Sequence, residues 1–94
     1  MRETLEAIAE TLGYSYRQTS EQPITGIAID SRAVQPGDLF VALVGEKTDG
    51  HRYLQQALQQ EAAAVAISRP EQVDLAACGN YILVSDGLLF GQQL

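Results

Sequence analysis

Leu39-Phe40-Val41-Ala42-Leu43-Val44, then a polar segment with apolar residues at helical spacing over 49–61, then Ala62-Ala63-Ala64-Val65-Ala66-Ile67: this succession decides the fold. Turn signals bound both apolar runs: Gln35-Pro36-Gly37-Asp38 before the first, Gly45 after it, and Ser68-Arg69-Pro70 after the second. A short run with no polar alternation has no face for water, so each reads as a strand covered on both sides. Between them Tyr53, Leu54, Ala57 and Leu58 fall on one helical face, and Thr48 or Asp49 can cap the helix. Strand, helix, strand is a β-α-β unit, which requires parallel pairing and a right-handed crossover.

Upstream, Ile27 and Ile29 alternate with Gly26 and Ala28 over 24–29, the pattern of a half-buried strand. In the following turn Pro36 presets φ at the second position and Gly37 accepts a positive φ at the third. Leu5, Ile8, Ala9 and Leu12 lie at i, i+3, i+4 and i+7, which predicts an N-terminal helix stopped by Gly13. A short β segment is expected near 14–18, and Thr19–Pro23 reads as a loop. Downstream, 71–80 reads as irregular or weakly helical with a turn at Gly79-Asn80, and Tyr81–Val84 as a third short strand. Ser85 or Asp86 can cap a closing helix, whose Leu88, Leu89 and Leu94 have an incomplete apolar face, so the helix is expected to be cut short at Leu94. The expected class is α/β: one small domain over residues 1–94, with a mixed sheet of about four or five strands and two or three helices.

With 94 residues there is room for one core, and 46% hydrophobic against 19% charged residues is a globular composition. Twelve acidic against six basic residues give a net charge of -6, which disfavours nucleic-acid backbones and anionic membrane surfaces as partners. The longest apolar runs fall far short of the ~20 residues of a bilayer span. Met1-Arg2-Glu3 leads straight into an amphipathic pattern, so no secretory signal is expected and the chain is read as cytoplasmic. Cys78 is the single cysteine, which excludes an internal disulfide and a cysteine-based zinc site; it reads as a small half-buried residue before a turn.

The catalytic inventory is thin. His51 is the only histidine, and no nucleophile-elbow or paired-histidine metal pattern occurs. Gly45-Glu46-Lys47-Thr48 resembles the end of a P-loop, but that motif needs glycine where Glu46 and Val41 stand. No catalytic residue and no bound cofactor or metal is therefore expected in this chain. The basic residues are unevenly placed: Arg32, Lys47 and Arg52 lie within twenty-one positions, beside Ser31, Thr48 and His51, on two segments that each follow a strand. In α/β sheets ligands bind at the carboxyl ends of strands, where glycine-bracketed loops let the backbone approach phosphate. Two readings stay open on physical grounds, a donor-rich rim for an anionic ligand and ordinary solvated loops.

The stretch Thr25–Glu46, with Asp30-Ser31-Arg32 and Pro36-Gly37-Asp38-Leu39-Phe40-Val41-Ala42, followed by Asp49-Gly50-His51 and Ala57, resembles the N-terminal domain of the Mur ligases that build the peptidoglycan precursor. The resemblance covers about residues 24–94. Gly45-Glu46 and Tyr81–Asp86 look more like the D-alanyl-D-alanine-adding member than the member that adds the third stem residue. The resemblance implies a domain that holds the UDP end of UDP-N-acetylmuramoyl-peptide, with Ile29, Ser31 and Arg32 by the uridine or diphosphate and Glu46, Lys47 and Thr48 contacting it from the second loop. It also implies that ATP and Mg2+ act in the full-length ligase through a central domain, and that a C-terminal domain takes the incoming amine. This chain alone is then expected to bind and not to catalyse. Local roles compete for three residues: Asp30 and Arg32 can pair to fix their own loop, and His51 can pack on the helix start. A stand-alone nucleotide-sugar-binding or protein-binding module, and a purely structural interaction domain, remain as other readings.

Overall fold

A computed structural model describes residues 2–94 and contains a five-stranded mixed sheet between two helical layers. The strands are β1 (Ser15–Arg17), β2 (Gly26–Ala28), β3 (Asp38–Val41), β4 (Ala64–Ile67) and β5 (Tyr81–Leu83), and the helices α1 (Leu5–Leu12), α2 (Leu54–Gln59) and α3 (Gly87–Gln93). Spatial order is β1-β5-β4-β3-β2. β2, β3, β4 and β5 are parallel neighbours, and β1 closes the far edge antiparallel to β5.

Leu39–Ala42 and Ala63–Ile67 are buried on both faces, as their lack of alternation requires, while Leu43 and Ala62 at the ends of the runs are half-buried and Val44 is exposed. Leu39 and Val41 of β3 and Ala64 and Ala66 of β4 face α1 and α3, packing with Leu5, Ile8, Ile82 and Phe90. Phe40, Val65 and Ile67 face the other way, against Leu54 and Ala57 of α2, Val34 and Cys78. All three parallel connections therefore contribute side chains to one face. Successive crossovers of one hand that advance in one direction must lie on the same side.

The local signals account for the element ends. Thr4 caps α1 by accepting from the Ala7 N–H, and Gly13 ends it in the left-handed region at φ 81°. Gln35–Asp38 is a turn in which the Asp38 N–H donates to the Gln35 carbonyl at 3.0 Å, with Gly37 at φ 92°. Asp86, rather than Ser85, caps α3 by accepting from the Leu88 and Leu89 N–H groups.

Three expectations are corrected. Ala28 is the inward residue of β2, while Ile27 and Ile29 are exposed. The strand is an edge whose inner face meets the connection through Val34, where a small side chain fits. The segment after Asp49 begins as a 3-10 turn, Gly50–Tyr53, before α2. Three residues per turn align His51 with Leu54 on the buried side and leave Tyr53 outside. The first apolar run pairs only to Val41, because Leu43 and Val44 leave the sheet to form a hairpin. Among the described residues no helix is long and apolar enough to cross a membrane.

Candidate functional site

The parallel strands β2 to β5 all end at one edge, and the loops after β3, β4 and β5 enclose a cleft of about 540 Å3 there. Leu43, Val44, Gly45 and Thr48 form one wall, Ser68 and Arg69 the floor side, and Ser85–Leu88 the opposite wall. A shallower depression of about 430 Å3 adjoins it, sharing Val44, Gly45, Thr48 and Arg69 and adding Glu46, Lys47 and Arg52.

The first wall is a pinned hairpin. Val44 and Asp49 form an antiparallel bridge, the Gly45 N–H donates to the Thr48 carbonyl at 2.8 Å, and the Gly50 N–H donates to Leu43 at 2.7 Å. Glu46 and Lys47 are thereby held at its tip, both exposed. Glycine at position 50 is required by contact: a Cβ there would stand 2.8 Å from the Leu43 nitrogen and 3.0 Å from the Ala42 Cα.

Beneath the hairpin lies the only histidine, with its side chain 1% exposed. His51 Nε2 accepts from the backbone N–H groups of Ser68 (3.0 Å) and Arg69 (3.1 Å). An acceptor at Nε2 places the proton on Nδ1, which donates to Asp49 Oδ1 at 2.7 Å. Asp49 Oδ1 also accepts from the His51 N–H, and its Oδ2 accepts from Arg69 Nη1 at 3.1 Å. Burial pushes the Asp49 carboxyl up, but the hydrogen bonds from His51 and the Arg69 charge outweigh it and hold the group below its ordinary value. Stabilisation from a lowered carboxyl is fully present above the unfolded-state pKa and is lost as pH falls through the folded value. Asp49→Asn is expected to lower stability at neutral pH and to shrink the acid dependence of the urea midpoint below about pH 4. An unchanged acid slope in the variant would show that this pair does not contribute.

The residues singled out from sequence divide into two groups. Glu46, Lys47 and Thr48 stand at the clefts. Ile29, Ser31 and Arg32 lie on the neighbouring loop, at the same sheet edge but outside both linings. Ile29 is exposed just past β2. Ser31 is buried, its hydroxyl donating to Gln56 Oε1 at 2.8 Å and its carbonyl accepting from Gln60, which fastens this loop to α2. Arg32 is exposed and pairs with Asp30, whose carboxyl is held below its ordinary value by the Arg32 side chain and then its backbone N–H. Ser68, Arg69, Ser85 and Asp86 are cleft residues that the sequence reading passed over. Each follows a strand end, as Ser31 and Thr48 do. Cys78 is buried against α2, and burial followed by the Asp74 charge pushes its thiol up, away from reactivity.

A model of the Mur ligase family, catalytic domain, matches residues 23–88. The chain belongs to the Mur ligase family. A UDP-N-acetylmuramyl-tripeptide synthetase of Roseiflexus sp. is 57% identical over 47 residues, which cover 50% of this chain and 9% of that protein. A UDP-N-acetylmuramoyl-L-alanyl-D-glutamate--2,6-diaminopimelate ligase of Phocaeicola vulgatus is 40% identical over 67 residues, 71% of this chain and 14% of that protein. Among solved structures, MurF from Acinetobacter baumannii superposes on the whole chain with a TM-score of 0.84 at 26% identity, covering 20% of that protein. The chain thus spans about a tenth to a fifth of the length of the family members it matches.

Proposed function

We propose that residues 1–94 are the N-terminal domain of a peptidoglycan-precursor ligase and hold the UDP end of UDP-N-acetylmuramoyl-peptide at the carboxyl edge of the sheet. The observation that carries this reading is the pair of adjoining spaces built from family-matched loops, where Thr48 and Arg69 line both, Ser68 and Ser85 line the cleft, and Lys47 and Arg52 line the shallower depression. The hydroxyls of Thr48, Ser68 and Ser85 suit a uracil edge, and Lys47 supplies charge for a diphosphate. The loop bearing Ile29, Ser31 and Arg32 extends the same edge: Ser31 fastens it to α2, and the exposed Ile29 and Arg32 supply its outer contacts.

Amide-bond formation belongs to the remainder of the ligase. The residues here do not fit a triphosphate site, because Val41 lies inside β3 where a P-loop needs glycine. No three metal-ligating side chains gather among the described residues. On this reading, by likeness to the family, ATP and Mg2+ act in a central domain, the incoming amine is taken by a C-terminal one, and the reaction runs in the cytoplasm. Two observations bear on which stem residue is added. Whole-chain fold likeness to MurF supports D-alanyl-D-alanine addition. Higher identity to a diaminopimelate ligase supports third-residue addition. Fold outlasts identity between related proteins, so the identity is the sharper guide and third-residue addition is the reading we favour.

Calorimetric titration of the chain with UDP tests the domain's role. Lys47→Ala is expected to weaken UDP binding about tenfold with the melting temperature unchanged, since Lys47 touches no core residue. A folded variant that titrates like the wild type would favour a protein-interaction domain instead.

A further inference from the structure

We infer that Arg69 receives the phosphate charge of the ligand in this cleft and that the buried Asp49–His51 pair aims it; the inference rests on the nucleotide-end reading above. Arg69 stands two residues beyond β4, half-buried, and it lines both the cleft and the adjoining depression. Its backbone N–H donates to His51 Nε2, His51 Nδ1 donates to Asp49 Oδ1, and Asp49 Oδ2 accepts from its own Nη1. These contacts close a ring that begins and ends on Arg69. One edge of the guanidinium is anchored, and among the described residues its other N–H groups have no protein acceptor. An arginine held in this way presents a planar fork without first losing its rotamer freedom, which favours bidentate capture of phosphate.

The neighbouring charges point the same way. Lys47 and Arg52 are exposed and carry no side-chain ion pair among the described residues, so they add attraction without fixing direction. Glu46 sits at the hairpin tip beside Lys47. Asp86 on the far wall is engaged by the Leu88 and Leu89 N–H groups. Arg69 is the one cation common to both spaces with a fixed geometry. The chemistry it selects is a diphosphate ester, with the nucleoside left to the hydroxyls of Thr48, Ser68 and Ser85.

Wild type, Arg69→Gln and Arg69→Lys are titrated with UDP, uridine and inorganic pyrophosphate, with thermal melts run alongside. Arg69→Gln is expected to lose about ten- to a hundredfold in affinity for UDP and pyrophosphate and none for uridine, and Arg69→Lys to recover part of the loss. A folded Arg69→Gln that binds UDP like the wild type overturns the assignment and leaves the nucleotide reading standing. Arg69-dependent pyrophosphate binding with no gain from the uridine moiety does the reverse: the anion site stands and the nucleotide reading falls. A wild type that binds neither ligand overturns both. The positioning role of His51 is read from the UDP-over-uridine preference of His51→Asn, which a merely structural role leaves intact. An undiminished preference removes His51 from the assignment, and if that variant does not fold, the same ratio in Asp49→Asn decides.

Discussion

His51→Ala is expected to cost about 3–5 kcal/mol of folding stability, among the largest effects available to a single substitution in a domain of this size. The ring is a shared acceptor for two backbone N–H groups, those of Ser68 and Arg69, in a place with almost no access to water. An unsatisfied buried N–H costs about 1–3 kcal/mol, and here two lose their partner together. The same change strips Asp49 of its closest donor, leaving only the His51 N–H and Arg69 to offset burial of the carboxylate. It also opens a hole above Leu54. At about 4–8 °C per kcal/mol for a domain this small, the melting point should fall by about 12 °C or more. Urea unfolding checks the total, and amide exchange at Ser68 and Arg69 checks the cause: both should exchange much faster than the strand amides of β4. A loss under about 1 kcal/mol, with those two amides still protected, would show that water replaces the ring and that His51 is only filler.

Much of this could be read from the chain, and the reason lies in what each feature depends on. The central parts of the two runs, Leu39–Ala42 and Ala63–Ile67, were legible because a residue buried from either side must be apolar whichever way it points, so no register is needed to recognise them. Gly37 and Gly13 were legible because a positive φ is a property of one residue. β2 was misjudged in facing because size and burial part company at an edge: Ala28 meets the Val34 connection closely, and the larger isoleucines lie outside. Tyr53 was placed inward because a period of 3.6 was applied to a turn whose period is three. The site was half legible on similar grounds. The rule that ligands bind at strand ends pointed to Lys47 and Thr48, the family resemblance added Glu46, and the same rule carried to Ile67 and Leu83 reaches the other cleft residues Ser68-Arg69 and Ser85-Asp86. Of His51 only its packing on the helix start was legible, not its role as an acceptor. Its partners are backbone amides 17 and 18 residues away, and a backbone N–H leaves no mark in the identity of the residue that carries it.

Phe90→Ala is the second large effect, expected at about 3–5 kcal/mol from lost transfer energy and the cavity left behind. Phe90 is fully buried and reaches the core shared by Leu5, Val41 and Ile82, although it belongs to the last helix of the chain. Its ring meets Tyr14 edge-on with centroids 5.6 Å apart, a geometry that contributes about 0.5–1.5 kcal/mol beyond area alone. Tyr14 in turn donates from its hydroxyl to Gln93 Oε1 at 2.7 Å, so α3 is fastened to the end of α1 at two points. If α3 were a loosely appended segment, the substitution would raise exchange within 87–93 and leave the urea midpoint unchanged. The position of the ring argues for the opposite, a drop of the midpoint for the whole sheet. Leu89→Ala provides the control: that side chain lies outside the core, and its removal should change stability by less than about 0.5 kcal/mol. The pair of variants also separates packing from ligand contact. Ser85–Leu88 form one wall of the cleft, and Phe90, on the same helix, anchors it in the core while Gly87 packs closely on Ala42 and Leu43. Phe90→Ala should therefore weaken UDP binding even in conditions where the domain remains folded, without touching a residue that faces the ligand. Binding that survives unchanged in the folded variant would place the ligand on the hairpin side alone, with Lys47 and Arg69, and leave the α3 wall out of the site.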